Sequence, residues 1–539
     1  MLSKDIPSLF DETIARQRQQ SSRYRFTVEL GLFIVLLFGV FMVEINNLNY
    51  NTVFLDEAIN AVVGEDLLQG VYSRNAVTFH FGSYLYPAVA AILNELGGVT
   101  ALRLASTLTM CLAAVCVYFS TRKLFGHKAG LFSMLLFSFS GSILNLGQLA
   151  VYDSVALPFL AASLFFLVAA STSRYYHRHL LIVASLCGIL ATLSKYIGLI
   201  YLPALLITAL ILFWLNETPL RQAVLTLSIY FVFPILLVWS FYAIPYWQEL
   251  MRVLQEQGFS ASPRWLILRR IGQETGLVLL LALTGLALLV STVTKKQNYR
   301  SPLLFGDEQS QSKLNTFLRS NTVWFFVLLF LLVCTWLAAP LHHWLTGNRH
   351  SLWKSCAYSL IFLSPLAGYC VATVVDAIRS RNRALNLVGV LILCTGVVYF
   401  ADHALDSNWS FHRSWPNTEG LMTYLRNSGL NENSLVLAEG MDIYEYYFDF
   451  GADDRQVWNN FWYMDYGGVS GQEGALAAIR DRAPDFVIVE DYYLAGIRER
   501  ATPLLIEAGY VVGWEEKQEL RSGGTIILQV FIKGKEISQ

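Results

Sequence analysis

Two carboxylates stand side by side in FLDEAINAVVGEDLLQGVY (residues 54–72): Asp56 and Glu57, a few residues beyond a long apolar run. A third, Asp153 in GQLAVYDSVALP, and two cations, Lys195 in ATLSKYIGL and Arg349 in LHHWLTGNRHSLW, are each nearly isolated in apolar sequence. A carboxylate so placed can take a proton from an incoming group. A fixed cation can balance negative charge that grows on a departing oxygen. Each residue also has an ordinary explanation. Asp56 and Glu57 fit the start of a helix, where the macrodipole favours acid. Lys195 fits a snorkelling lysine, and Arg349 fits a wet interfacial loop with His342, His343, His350 and the belt residues Trp344 and Trp353. A carboxylate near hydrocarbon costs up to a few kcal/mol unless paired or hydrated, so Asp153 marks a site more strongly than the others.

The elements that must position these groups follow from composition. The 539-residue chain is 55% hydrophobic and 15% charged, against roughly 25% charged in soluble domains. The class it implies is a polytopic membrane protein. A net charge of −1, with no basic tail and no glycine-rich phosphate loop, speaks against a nucleic-acid partner. The seven cysteines all fall in apolar segments and read as small hydrophobes. Apolar runs predict about eleven transmembrane helices, near 26–46, 101–119, 129–147, 154–171, 180–194, 198–215, 222–243, 275–294, 321–340, 351–374 and 384–402. With the N-terminus cytoplasmic, inside segments hold nineteen Lys and Arg and outside loops seven, the expected bias. Asp56, Glu57, Asp153, Lys195 and Arg349 then share the extracytoplasmic side, at span ends. The first outer loop, 47–100, also carries Arg74 and His80. Its opening is amphipathic, with Leu55, Ile59, Val62 and Val63 on one helical face, and reads as an interfacial helix.

Residues 1–402 are therefore expected to form the membrane domain and 403–539 a small extracytoplasmic α/β domain. In the latter SLVLAEG, DFVIVED and TIILQVFIK read as strands and GQEGALAAIRDRAP and ATPLLIEAGY as helices. This domain either packs over the outer face or holds an acceptor.

The Asp-Glu pair opening an interfacial helix after the first span, DEAINAVVGEDLLQGVY, resembles the lipid-linked-sugar glycosyltransferases of the GT-C class. Within it the likeness is to the protein O-mannosyltransferase and lipid A aminoarabinose transferase superfamily. It continues through FHFGSYLYP, ALRLAS, AVYDSVALPFLAASLFFL and TLSKYIGLIYLPALL, and more loosely through GNRHSLW with LSPLAGY. Departures are the GSYLYP stretch where a Lys-Pro-Pro type sequence is common, His350 where tyrosine is frequent, and Ser154 after Asp153. The resemblance implies a GT-C fold and transfer of a sugar, hexosyl or pentosyl, from a polyprenyl-phosphate donor to a lipid, glycan or protein acceptor. It gives Asp56 the role of general base. Glu57 would orient Asp56, raise its pKa or face the other side of the helix; Asp153 would place the acceptor or contact sugar hydroxyls. Lys195 and Arg349 would balance the phosphate, with Tyr152, Arg74, His80 and His350 as further substrate-binding candidates. Direct displacement by one base would invert the anomeric centre. No cofactor is needed beyond the donor; a divalent metal on Glu57, His342 and His343 is an open alternative. The competing class is a transporter or lipid flippase, whose repeats and mid-span polar residues this sequence does not display.

Overall fold

The computed structural model describes residues 27–72, 81–173, 175–216, 218–256, 262–294, 330–349, 351–379, 383–448, 457–520 and 524–534. Helix α1 (Thr27–Ile45) is the first of seven described helices long and apolar enough to cross a membrane, or eight if one bent pair is counted as a span. The interfacial helix follows as α2 (Leu55–Leu68). Helix α3 (Leu85–Phe125) begins well before the span predicted at 101, because PAVAAILNEL is itself helical and packs on α2. Its two limbs meet at Gly97 and Gly98, and Gly98 has φ +61°, a conformation that side chains with a Cβ resist. The run predicted as one span at 129–147 is two helices, α4 (His127–Ser138) and α5 (Gly141–Gly147), bent by 71°.

Helices α6 (Tyr152–Thr172), α7 (His177–Ser194) and α8 (Gly198–Leu215) follow. Next come α9 (Leu220–Ala243), α10 (Trp247–Glu256) and α11 (Arg264–Thr294). The chain continues through α12 (Ala338–Thr346), α13 (Leu352–Arg379) and α14 (Arg383–Phe411). Most of the span predicted at 321–340 lies outside the described residues. One apolar core binds α3, α4, α6, α7, α8 and α13, with Met110, Phe137, Leu157, Leu167, Tyr201 and Tyr358 fully buried. Leaving membrane lipid gains little hydrophobic free energy, so such packing rests on close fit and small residues. Gly64 of α2 shows this: a Cβ there would lie 2.0 Å from the Pro87 carbonyl oxygen of α3. Gly64→Ala should therefore lower stability by about 1–3 kcal/mol, read as a fall in the melting temperature of the detergent-solubilised protein.

Beyond α14 lies helix α15 (Glu419–Asn427) and an α/β unit. Its strands are β1 (Val436–Ala438), β2 (Trp458–Asn460), β5 (Phe486–Val489), β6 (Tyr510–Glu519) and β7 (Thr525–Lys533), in sheet order β2-β1-β5-β7-β6. A separate small ribbon pairs β3 (Asp465–Tyr466) with β4 (Val469–Ser470). Strands β2, β1 and β5 are parallel, while β7 runs antiparallel to β5 and β6 antiparallel to β7. Helix α16 (Met441–Tyr447) follows β1, α17 (Gln472–Arg480) precedes β5 and α18 (Ile497–Glu507) follows it. The predicted strands SLVLAEG, DFVIVED and TIILQVFIK correspond to β1, β5 and β7.

Candidate active site

Successive residues on a helix are turned by about 100°, so Asp56 and Glu57 in the first turn of α2 meet different surroundings. Glu57 points inward and is fully buried. Its Oε2 accepts the Phe54 N–H at 2.9 Å, closing the start of the helix. The Arg103 guanidinium grips the carboxylate twice, Nε to Oε1 at 2.9 Å and Nη2 to Oε2 at 2.7 Å. Oε1 also accepts the Ala150 N–H at 2.8 Å. Arg103 spends its remaining donors on the carbonyls of Leu48 (2.7 Å), Asn51 (3.2 Å) and Thr52 (3.2 Å). One buried ion pair thus ties together the approach to α2, the second limb of α3 and the turn leading into α6.

That turn delivers Tyr152 and Asp153. Asp153 is fully buried; Lys195 Nζ, at the end of α7, lies 2.6 Å from its Oδ2, and the Tyr358 hydroxyl of α13 donates to Oδ1 at 3.1 Å. The segment 81–83 crosses the α7–α8 junction closely. The Ser83 N–H bonds the Leu193 carbonyl at 2.8 Å and the Tyr196 N–H bonds the Phe81 carbonyl at 2.9 Å. A Cβ on Gly82 would lie 2.4 Å from the Ser194 carbonyl oxygen, which is why glycine stands there.

Asp56 faces the other way. Its carboxylate forms an ion pair with Lys354 in the first turn of α13; the lysine side chain is 5% exposed and the aspartate 29%. The Tyr152 ring meets both cations, its centroid 4.1 Å from Lys195 Nζ and 5.8 Å from Lys354 Nζ. The structure therefore gathers two acid–lysine pairs, Asp56–Lys354 and Asp153–Lys195, around the Tyr152 ring.

Arg349 lies nearby in a cavity of about 430 Å³ lined by Ser262, Arg270, Arg349, Leu352 and Trp353. Trp353 joins the cavity to the pairs, its ring centroid 5.7 Å from Lys354 Nζ. Two arginines on one concave wall suit an anion carrying several oxygens. Arg270 also holds Glu274 at 2.7 Å.

Other candidates are placed differently. Both ring nitrogens of His343 have partners, the Asn348 carbonyl at 3.0 Å and Ser355 Oγ at 2.9 Å. Among the described residues no group of three or more His, Cys, Asp or Glu could hold a metal ion, so Glu57, His342 and His343 form no such group. Arg74, His80 and His350 lie outside the described residues. Sequence reasoning missed Lys354, Arg103, Arg270 and Tyr358. The available signal was ionic residues set inside apolar runs, Lys354 in the predicted 351–374 span and Arg103 in the span predicted at 101–119.

Residues 81–241 match the model of the dolichyl-phosphate-mannose-protein mannosyltransferase family. That segment includes Asp153 and Lys195 but begins after Asp56. No curated protein matches the chain in sequence. The crystal structure of ArnT from Cupriavidus metallidurans bound to undecaprenyl phosphate is similar in fold, with 12% identity and a TM-score of 0.52; the match covers 93% of this chain and 97% of that one. Its apo state gives 14% identity and a TM-score of 0.54, covering 93% and 98%. The chain is thus an integral membrane protein of the GT-C fold with a small α/β unit at its C-terminal end, similar in architecture to ArnT and, over residues 81–241, in sequence to the dolichyl-phosphate-mannose-protein mannosyltransferases.

Proposed function

We propose that the chain is a glycosyltransferase that moves a sugar from a polyprenyl-phosphate donor to a hydroxyl of a lipid, glycan or protein acceptor. The reading places the reaction at the extracytoplasmic face of a bacterial inner membrane, with the N-terminus cytoplasmic and the α/β domain (403–539) outside. The observation that carries it is the meeting of two acid–lysine pairs around Tyr152, one partly open to solvent, beside a cavity walled by two arginines. Similarity to a structure that binds undecaprenyl phosphate supports the same class of donor.

In this reading Asp56 takes the proton of the acceptor hydroxyl as that oxygen bonds the anomeric carbon. The bond from that carbon to the phosphate oxygen breaks with its electron pair on the phosphate. The products are the glycosylated acceptor, inverted at the anomeric centre, and free polyprenyl phosphate, whose charge has risen from one negative toward two. Lys354, Arg349 and Arg270 are placed to balance that charge. Lys354 also aims Asp56. Asp153, locked by Lys195 and Tyr358, holds the Tyr152 face on which a sugar ring can rest. Because Glu57 is enclosed by Arg103 and backbone N–H groups, its role is to fix the turn that carries the base.

The test uses the purified full chain in lipid nanodiscs, given undecaprenyl phosphate carrying a labelled hexose or pentose. Acceptors are lipid A, a serine- and threonine-containing peptide and a short glycan. Release of undecaprenyl phosphate with labelled, inverted product supports the proposal; no release from any pair overturns it. In the same assay Lys354→Met should lower kcat by roughly 10²-fold, the size of one lost electrostatic contact in a transition state, while Lys354→Arg should recover part of it.

A further inference from the structure

In open sheets with parallel strands, ligands bind in the crevice beyond the carboxyl ends of the strands. Here the parallel strands β1 and β5 are followed directly by Glu439 and Glu490, and that edge faces the membrane domain. Helix α16, which follows β1, packs on α2. Ile443 joins Val53 and Ala58 in one buried cluster, with Leu55, Val99, Tyr446, Tyr447 and Tyr493 packed against it. Leu55 and Ala58, which flank Asp56 and Glu57 in sequence, both belong to this cluster, so Tyr493 packs against the turn of α2 that carries Asp56.

The loop after β5 is held in a fixed shape. The Glu439 carboxylate accepts the N–H groups of Glu490 (2.7 Å), Asp491 (2.6 Å) and Leu494 (3.1 Å). Glu490 is fully buried and accepts the Tyr444 hydroxyl. Gly440 allows the close fit: a Cβ there would lie 2.9 Å from Tyr493 Cε2 and 3.2 Å from Glu490 Oε2.

Four tyrosines reach from this edge toward the membrane domain, and three have their hydroxyls bonded. Tyr446 donates to Asn94 at 2.6 Å, Tyr447 accepts the Val53 N–H at 3.0 Å, and Tyr492 donates to the Ser414 carbonyl at 2.6 Å. The fourth, Tyr493, has a buried hydroxyl with no partner, as does Glu490 Oε2 beside it. A buried unsatisfied donor costs about 1–3 kcal/mol, and a ligand oxygen meeting the Tyr493 hydroxyl would remove that cost. Burial first, then the negative charge of Glu490, with Tyr492, Asp56 and Glu439 adding to it, hold the Tyr493 phenol well above its ordinary value. The hydroxyl therefore stays a donor at neutral pH.

We propose that Tyr493 is an acceptor-binding residue of the site, its hydroxyl bonding the hydroxyl-bearing acceptor whose proton Asp56 takes, with Glu439 as the positioning residue that fixes its loop. This rests on the transferase reading above. It gives the α/β unit a share in acceptor recognition.

The test compares Tyr493→Phe with the wild-type full chain in the nanodisc assay, titrating donor and acceptor separately. The expected result is an acceptor KM raised about tenfold against a donor KM that moves less than twofold. The variant should also melt at or above the wild-type temperature without substrate, because it deletes only an unsatisfied hydroxyl. An unchanged acceptor KM, or a lowered melting temperature that marks the hydroxyl as a structural bond, overturns this proposal while leaving the transferase intact. A wild type that releases no carrier with any acceptor overturns both.

Discussion

Asp56→Asn loses ~10²–10⁴-fold in kcat for carrier release, the range a positioned general base supplies. Asparagine keeps the size of the side chain but has no lone pair basic enough to take the acceptor proton. Its cost to the fold is confined by the position, since Asp56 is partly exposed at the start of α2. Lys354, nearly enclosed, would then face an amide rather than a carboxylate. The double variant Asp56→Asn with Lys354→Met removes that leftover charge and serves as the folded control. Carrier binding should persist in Asp56→Asn, which keeps Lys354, measured as the rise in melting temperature on adding undecaprenyl phosphate. Full carrier release by Asp56→Asn would assign the proton to another group and remove the base from this mechanism.

The largest effect on stability belongs to Arg103. Both partners of the Arg103–Glu57 pair are 0% exposed, and breaking a buried pair by removing one member costs about 3–5 kcal/mol because the other charge is stranded. Arg103→Met should also release the carbonyls of Leu48, Asn51 and Thr52. The measurable outcome is a loss of monodisperse protein after extraction and a marked fall in melting temperature. Arg103→Met combined with Glu57→Gln should recover part of that loss, since no buried charge remains. If the single variant melts like the wild type, the pair does not hold the turn, and the account of how Asp56 is positioned fails.

The membrane architecture was readable because hydrocarbon imposes a length and polarity rule that composition alone obeys. The strands β1, β5 and β7 were readable as short apolar runs. Strand β6 was not: YVVGWEEKQE alternates exposed charged residues along an edge, and nothing in the segment marks its partner. Asp56, Asp153 and Lys195 stood out because a charge in apolar sequence is costly. Their pairing did not, since adjacency in sequence makes Asp56 and Glu57 look like one unit. Helical geometry sends one to Lys354 and the other to Arg103, at sequence separations of 298 and 46. Lys354 was concealed by a related effect. A cation one turn into a long apolar helix reads as part of the span until its acid is known.

Hydrogen bonds from the Asn51 side chain to the Trp415 carbonyl (3.1 Å) and from the Trp415 indole to the Thr52 carbonyl (3.2 Å) join segments that lie 364 and 363 residues apart. At ~5–20 residues per second of synthesis, the stretch just before α2 exists for tens of seconds before the ribosome delivers its partner. The carboxylate at position 56 thus reaches the membrane surface early and gains its final anchorage late. A nascent chain halted ahead of Trp415 would be inserted yet incomplete, so translation itself sets when the candidate site can be finished.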